Sequence, residues 1–315
     1  MVSLISRRTF LLGLLGTSLG ACAAPAIRTP GEEVEKFPLV DAHSHYGAVR
    51  DPMGEDLIEA MSAAGIKRMV LFEASDRGAR ELARRFPGRF APSYQGPMGI
   101  DRRREQMKYG KDPEIAQQIA AGYEEVLRSG LYRGLGEIPT YHPSRPVPIA
   151  PDSPLVLKLL EMAGRYGVPI NIHCTASDGG ATRMAQALRL HPKTRVIWAH
   201  GGSRLLELSH FLREYPNLYF DLSTLHPPWP LRGGRTHLAY LGVIDRSWRE
   251  LLEAYPDRFL VGFDFGTGFG GVVQSTPLSA AREVGEFFQS VLSQLTRSTA
   301  RKVAYENAEK LYKFQ

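Results

Sequence analysis

Eight short apolar runs rich in β-branched and aromatic residues recur along the chain, and the stretches between them place apolar residues three and four apart. The runs are LVDAHSH (39–45), RMVLFEA (68–74), RFAPSYQ (89–95), RGLGEIP (133–139), VPINIHC (168–174), RVIWAHG (195–201), NLYFDLS (217–223) and RFLVGFDFG (258–266). Stretches such as GEDLIEAMSAAG, SPLVLKLLEMAGRYG and SWRELLEAY each give a helix one buried face. Gly65, Gly130 and Gly167 stand where such helices stop. Strands alternating with helices build a parallel sheet, and eight such units predict a (β/α)8 TIM barrel. The roughly 275 residues that carry the pattern are a usual length for that single domain.

The first residues concern destination rather than fold. Residues 1–21 hold Arg7 and Arg8, no acidic residue, and the apolar stretch FLLGLLGTSLGA. That stretch falls short of the about 20 apolar residues a bilayer span needs, and it has the layout of an export signal. SRRTFLL resembles the twin-arginine signal, with Leu12 where that signal often has Lys. LGAC resembles a lipobox, which implies a lipid on Cys22, while ACA also suits ordinary cleavage near Ala23. The expected organisation is an export signal over 1–21, a linker over 22–37 and the barrel over 38–315. The expected location is the periplasm, with the chain anchored in the membrane if Cys22 carries lipid.

Without residues 1–21 the net charge falls from +6 to +4, because two arginines and no acids are lost. The remaining charges are interspersed, apart from DRRREQMKYGKD, so no nucleic-acid partner is expected. Cys22 and Cys174 are the only cysteines, so if Cys22 carries lipid Cys174 has no partner and a disulfide-stapled scaffold is excluded. Cys174 follows His173, so alternation turns it away from the barrel interior as a buried thiol.

In a barrel of this type chemistry sits at the C-terminal ends of the strands. Alternation puts Asp41, His43 and His45 on one face of the first strand, in series with Leu39. Asn171 and His173 share a face of the fifth strand, and Trp198 and His200 a face of the sixth. Glu137 ends the fourth strand and Asp264 the eighth. Five of the eight predicted strands thus deliver His, Asp or Glu to one rim, and four of the nine histidines lie there. Imidazoles and carboxylates gathered in this way suit zinc and other first-row divalent ions. Asp41, one pleat deeper, is expected to support the pair from beneath.

DAHSH, NIHC, WAHGG and VGFDFG, in that order, resemble the amidohydrolase superfamily. They are most similar to its amidohydrolase-related (amidohydrolase 2) branch, which contains metal-dependent carboxylic-acid hydrolases, lactonases and non-oxidative decarboxylases. AYENAEKLY is similar to the closing helix of that branch. The resemblance implies that His43, His45 and His173 ligate one divalent metal, zinc or else manganese. It makes Asp264 a ligand or the carboxylate that activates water, and His200 a catalytic neighbour. Two-metal relatives often carry a carbamylated Lys on the fourth strand where this chain has Glu137. Glu137 is therefore either a ligand, with room for a second ion, or a rim carboxylate that orients a ligand.

The implied activity is metal-dependent hydrolysis of a lactone, ester or amide, with non-oxidative decarboxylation as the alternative and a non-catalytic lipid-anchored binding protein as the alternative of another class. Two long loops are expected to shape the pocket. One holds Arg102, Arg103, Arg104, Lys108 and Lys111, and the other His226, Trp229, Arg232, Arg235 and His237. Arg232, Arg235 and His226 are candidate contacts for a small, anionic substrate, since Arg clamps a carboxylate with two hydrogen bonds. GTGFGG lacks the Lys of a phosphate loop and reads as a loop beside Asp264. His142, His191 and His210 lie away from the rim.

Overall fold

A computed structural model of the chain describes residues 35–46, 54–73, 78–96, 112–141, 149–176, 179–201, 205–227, 237–267 and 278–314. The export signal, Cys22, the Arg102 to Lys111 run, His142, Trp229, Arg232 and Arg235 lie outside the described residues. Among the described residues no helix is long and apolar enough to cross a membrane.

The predicted strands form in order as β1 (Leu39–Tyr46), β2 (Ile66–Glu73), β3 (Phe90–Tyr94), β4 (Gly134–Thr140), β5 (Ile170–Cys174), β6 (Val196–Trp198) and β7 (Leu218–Asp221). Each pairs in parallel with the next. A two-stranded antiparallel hairpin that the periodicity did not indicate follows, β8 (Ala239–Tyr240) and β9 (Val243–Ile244). The eighth predicted strand is split into β10 (Phe259–Leu260), which pairs with β7, and β11 (Phe265–Thr267), which pairs with β1. One chain segment therefore meets both ends of the sheet and closes the barrel. Between its halves Ala42 N donates to Val261 O at 2.9 Å, and Asp264 N to His43 O at 2.7 Å.

Helices α1 (Glu55–Ala64), α2 (Gly78–Arg85), α3 (Pro113–Arg128), α4 (Pro154–Tyr166), α5 (Gly180–Leu190), α6 (Leu205–Glu214), α7 (Arg246–Ala254) and α8 (Leu278–Leu292) supply the outer layer. Sequence signals set their starts. Asp112 Oδ1 accepts from Glu114 N and Ile115 N at 2.9 and 3.2 Å with Pro113 in the first turn, a cap worth about 1 kcal/mol. Ser153 with Pro154 repeats the device at α4.

Alternation along β2 shows how the barrel is filled. Met69 and Leu71 join the large core between strands and helices, whereas Val70 and Phe72 point inward. The last segment, α9 (Arg297–Arg301), a π-helical turn (Lys302–Glu306) and α10 (Asn307–Tyr312), closes the barrel where the strands start. Ala308, Leu311 and Tyr312 pack there on Val40, Ala42, Val70, Ala91 and Leu260. Asn307 Nδ2 fixes the plug by donating to Pro256 O and Phe259 O at 2.8 and 2.9 Å.

Two details of face assignment differ from simple alternation. The β1–β2 register shifts between Leu39 and Val40 and again between Asp41 and Ser44. Leu39 consequently packs in the outer core rather than on the face of His43. β6 ends at Trp198, whose ring packs against Phe211 and Phe220 with Nε1 donating to Cys174 O at 2.8 Å. His200 does not share that face. It turns inward because its own backbone is left-handed (φ 59°, ψ 34°).

Candidate active site

Six ionisable side chains from five strand ends meet at the open rim. His43 and His45 come from β1, Glu137 from β4, His173 from β5, His200 from the turn after β6, and Asp264 from between β10 and β11. Three overlapping trios each place their donor atoms within 4.8 Å of one another: His43, His45 and Glu137; His43, His200 and Asp264; Glu137, His173 and His200. Glu137 is at the centre. Its Oε1 accepts from His173 Nδ1 at 2.8 Å and His200 Nε2 at 3.0 Å, and its Oε2 lies 3.5 Å from His45 Nε2. Asp264 Oδ1 is 3.5 Å from both His43 Nε2 and His45 Nε2.

Local backbone makes this convergence possible. Gly136, at φ 122°, brings β4 so close to β5 that an added Cβ would lie 2.5 Å from Asn171 O. Only glycine fits there, and Glu137 is delivered to the centre as a result. Gly262 plays a lesser part, since its Cβ would approach His43 Cβ at 3.1 Å.

Behind the rim lies a carboxylate that the sequence analysis did not single out. Asp221, the last residue of β7 and fully buried, binds His43 Nδ1 at 2.9 Å and Asn171 Nδ2 at 2.8 Å through Oδ2. Its Oδ1 accepts from His200 N at 3.0 Å and Ser223 Oγ at 2.5 Å. Ser223 Oγ in turn meets His200 Nδ1 at 2.8 Å. One group thus orients imidazoles from two strands. Its signal was available in NLYFDLS, where alternation puts Asp221 in step with Asn217 and Ser223. Asp41 has the supporting place expected of it. Its Oδ1 accepts from His43 N at 2.9 Å and Phe263 N at 3.0 Å, and its Oδ2 from Ser44 Oγ at 2.5 Å.

The electrostatics follow from burial and pairing. Burial opposes charge on His43, yet the Asp221 and Glu137 carboxylates outweigh it and push the imidazole up to about 10. His45 is likewise pushed up to about 9 against burial by Asp264 and Glu137. Burial lowers His173 despite Glu137. Glu137, Asp221 and Asp264 are all held below the carboxylate range, because the neighbouring imidazoles overcome the penalty of burial. Asp41 is the exception: burial lifts it to about 7 in spite of its three donors.

His43 Nε2 is buried and has no hydrogen-bond partner among the described residues. With Nδ1 held by Asp221, it presents its remaining nitrogen to the Glu137 and Asp264 oxygens, the arrangement a metal-binding imidazole needs. The donor set therefore fits a divalent metal. His226 sits apart from the six, fully buried against Phe263, Phe287 and Phe288, with Nδ1 on Pro227 O at 2.9 Å. Cys174 is buried, and burial raises its thiol to about 12, as an inert thiol should be. A cleft lined by Lys67, Arg68, Arg89 and Glu309 opens at the opposite end of the barrel, where Arg68 pairs with Glu309, and holds none of the six rim groups.

Comparison with known proteins agrees with this arrangement. The family model Amidohydro_2, described as amidohydrolase, matches residues 40–314. No curated protein sequence matches the chain. Among solved structures it is similar to dihydroxybenzoic acid decarboxylase from Polaromonas sp. JS666, with bound manganese and the inhibitor 2-nitroresorcinol: TM-score 0.53, 15% identity, 87% of this chain and 96% of that one. It is similar to 4-oxalomesaconate hydratase from Rhodopseudomonas palustris at TM-score 0.55 and 13% identity, over 87% and 95% of the two chains. A zinc-bound amidohydrolase from Burkholderia multivorans gives TM-score 0.50 and 16% identity, over 89% and 100%. At these identities the structures speak for the shared barrel, while the family match spans nearly all of the described chain. The chain belongs to the amidohydrolase family and is an enzyme of the amidohydrolase type.

Proposed function

We propose that this chain is an exported hydrolase that cleaves a lactone, ester or amide of a carboxylic acid with the help of one divalent metal. The observation that carries the proposal is the set of imidazoles aimed at two carboxylates, with His43 Nε2 buried and unbonded. His43, His45, His173 and Asp264 would hold the ion, zinc or manganese in its place. When bound, such an ion supplies Lewis-acid polarisation of a carbonyl and makes water more acidic. One ion is the count favoured here, because Glu137 Oε1 already serves His173 and His200 as an acceptor.

The chain's own groups supply the rest. Asp264 lies at the rim with its carboxylate ionised, able to take a proton from the attacking water and return it to the leaving group. His200 is held at Nδ1 by Ser223, so its ring is oriented while Nε2, which meets Glu137 at 3.0 Å, can shift its hydrogen bond from that carboxylate to a carbonyl or a developing oxyanion. Asp221 and Asp41 keep these groups aligned from below. Arg232 and Arg235 are assigned to a carboxylate of the substrate, and Arg235→Ala is expected to raise KM about tenfold or more, the loss of a charged hydrogen bond. An unchanged KM removes Arg235 from the site.

The His200–Glu137 pair favours a second reading, decarboxylation, because an imidazole backed by a carboxylate can deliver a proton to carbon. The deciding experiment is metal analysis of the purified protein together with a panel of lactones, esters, amides and carboxylic acids. A ring-opened or cleaved acid supports hydrolysis, and release of carbon dioxide overturns it in favour of decarboxylation. Stoichiometric metal with no turnover on any of these supports a non-catalytic binding protein.

A further inference from the structure

Of the six large apolar side chains exposed among the described residues, three stand together on the β8–β9 hairpin: Tyr240 at 78%, Leu241 at 88% and Val243 at 65%. The hairpin is firmly mounted. Ile244 N donates to Gln294 Oε1 at 3.1 Å, while Ser290 Oγ and Gln294 Nε2 donate to Gly242 O at 3.2 and 2.9 Å. Its two-residue tip, Leu241 and Gly242, has φ 48° and 78°. Both central residues are left-handed, as in a type I′ turn, for which Asn-Gly is the favoured pair. A leucine there is unfavourable twice over, for its backbone and for its exposure. Both penalties are removed if the tip is Asn, so the apolar side chain itself calls for an explanation.

The place where the tip is mounted supplies one. Gln289, the residue before Ser290 on α8, clamps the start of the described chain: its Oε1 accepts from Phe37 N at 3.0 Å and its Nε2 donates to Phe37 O at 2.7 Å. Glu35 is held by Arg297 at 2.8 Å. The start of the described chain and the apolar tip are thus fastened to consecutive residues at one end of α8. Cys22 precedes Glu35 by thirteen residues, which span at most about 45 Å fully extended.

We propose that the β8–β9 hairpin is a membrane-docking tip, with Tyr240, Leu241 and Val243 entering the interface of the bilayer to which a lipid on Cys22 tethers the chain. The proposal rests on the export and lipidation reading and is independent of the reaction catalysed. Three side chains alone bind a bilayer weakly, but a short tether makes the contact intramolecular and raises its effective concentration. Tyrosine is well suited to the headgroup level, where its ring is apolar and its hydroxyl wet. Phe37 lies two residues before β1, at the strand-start end of the barrel.

The test uses the full chain recovered from membranes and reconstituted into phosphatidylcholine and phosphatidylglycerol vesicles with brominated acyl chains. Tyr240→Trp serves as the fluorescent reporter, read as the difference from the unsubstituted chain because Trp198, Trp229 and Trp248 also emit, and Leu241→Asn is the disrupting change. Asn tolerates positive φ, so this second variant should keep or raise the thermal midpoint. Mass analysis of the N-terminal peptide reports the lipid on Cys22. The expected result is a lipid-bearing Cys22 and reporter emission quenched about twofold, as for a side chain at interfacial depth, with most quenching lost on adding Leu241→Asn. Lipid present without quenching overturns the docking proposal and leaves the anchor standing. Quenching without lipid supports docking and overturns the anchor, and absence of both overturns the two together. If the chain dimerises and Leu241→Asn returns it to a monomer, a second copy covers the tip and the proposal fails.

Discussion

At the strand-start end of the barrel, the left-handed residues in helix-to-strand turns are glycines: Gly65, Gly88, Gly130 and Gly167, at φ 73°, 75°, 70° and 66°. At the strand C-terminal end, the same backbone region is entered not by glycines alone (Gly54, Gly179 and Gly201) but also by Tyr141 (φ 38°), His200 (φ 59°), Thr224 (φ 61°) and Asp264 (φ 56°). Glycine enters this region at little cost, whereas a residue with a Cβ is about 1–2 kcal/mol worse. The rim accepts that cost where two of its clustered ionisable side chains are placed. Strain of this kind persists only where the surroundings over-determine the backbone. Asp264 N is tied to His43 O, and His200 N to the Asp221 carboxylate. One end of the molecule is built for stability, and the other gives some stability up to hold chemistry in place.

The largest effects should come from breaking the rim. His43→Ala, His173→Ala and Asp264→Asn are each expected to lower turnover more than about 10³-fold, some 4 kcal/mol of barrier, with circular dichroism unchanged. Wild-type rates and metal content in all three variants would sink the assignment. The opposite end should respond the other way. Leu311 is buried in the plug among Val40, Val70 and Leu260. Leu311→Ala should cost about 2–5 kcal/mol of stability, read as a lower urea midpoint, with kcat unaltered. A tenfold change in kcat would show that the two ends are coupled and would break the comparison.

How far the sequence disclosed this arrangement depends on the kind of signal. Periodicity is a local signal, and it located every barrel strand, the glycine stops and the closing helices. It also led to His43, His45, Glu137, His173, His200 and Asp264, because each ends an apolar run. It did not show that residues 259–267 pair with both β7 and β1, since closure is a property of the whole sheet. Nor could alternation place His200, which the backbone turns inward after β6 has ended. The β8–β9 hairpin was missed because two-residue strands carry no measurable period. Asp221 was overlooked because its work is visible only through its partners on β1, β5 and the turn after β6. Asp221→Asn keeps its shape and one acceptor but loses the charge opposite His43. It should weaken metal affinity and turnover about 10–100-fold, less than losing a ligand and more than any change outside the rim's hydrogen-bond network. Wild-type metal affinity in this variant would reduce Asp221 to a packing residue.

The smallest effects sharpen the contrast in backbone strain. No atom lies within 4 Å of the position a Cβ would take on Gly65, so Gly65→Ala tests φ alone. A stability loss of about 1 kcal/mol is expected, with kcat unchanged. Lys313 offers the converse at the same end of the barrel: it is exposed, caps α10 in the left-handed region at φ 49°, and has no part in the rim. Lys313→Gly should therefore stabilise by up to about 1 kcal/mol, because the relief of φ exceeds the extra entropy glycine brings to the unfolded chain. Opposite signs for these two changes, measured as urea midpoints with unaltered turnover, would show that the strand-start end is free to exchange side chains for backbone ease. The rim is not, because at His200 and Asp264 the residue that strains the backbone is the one the proposed chemistry requires.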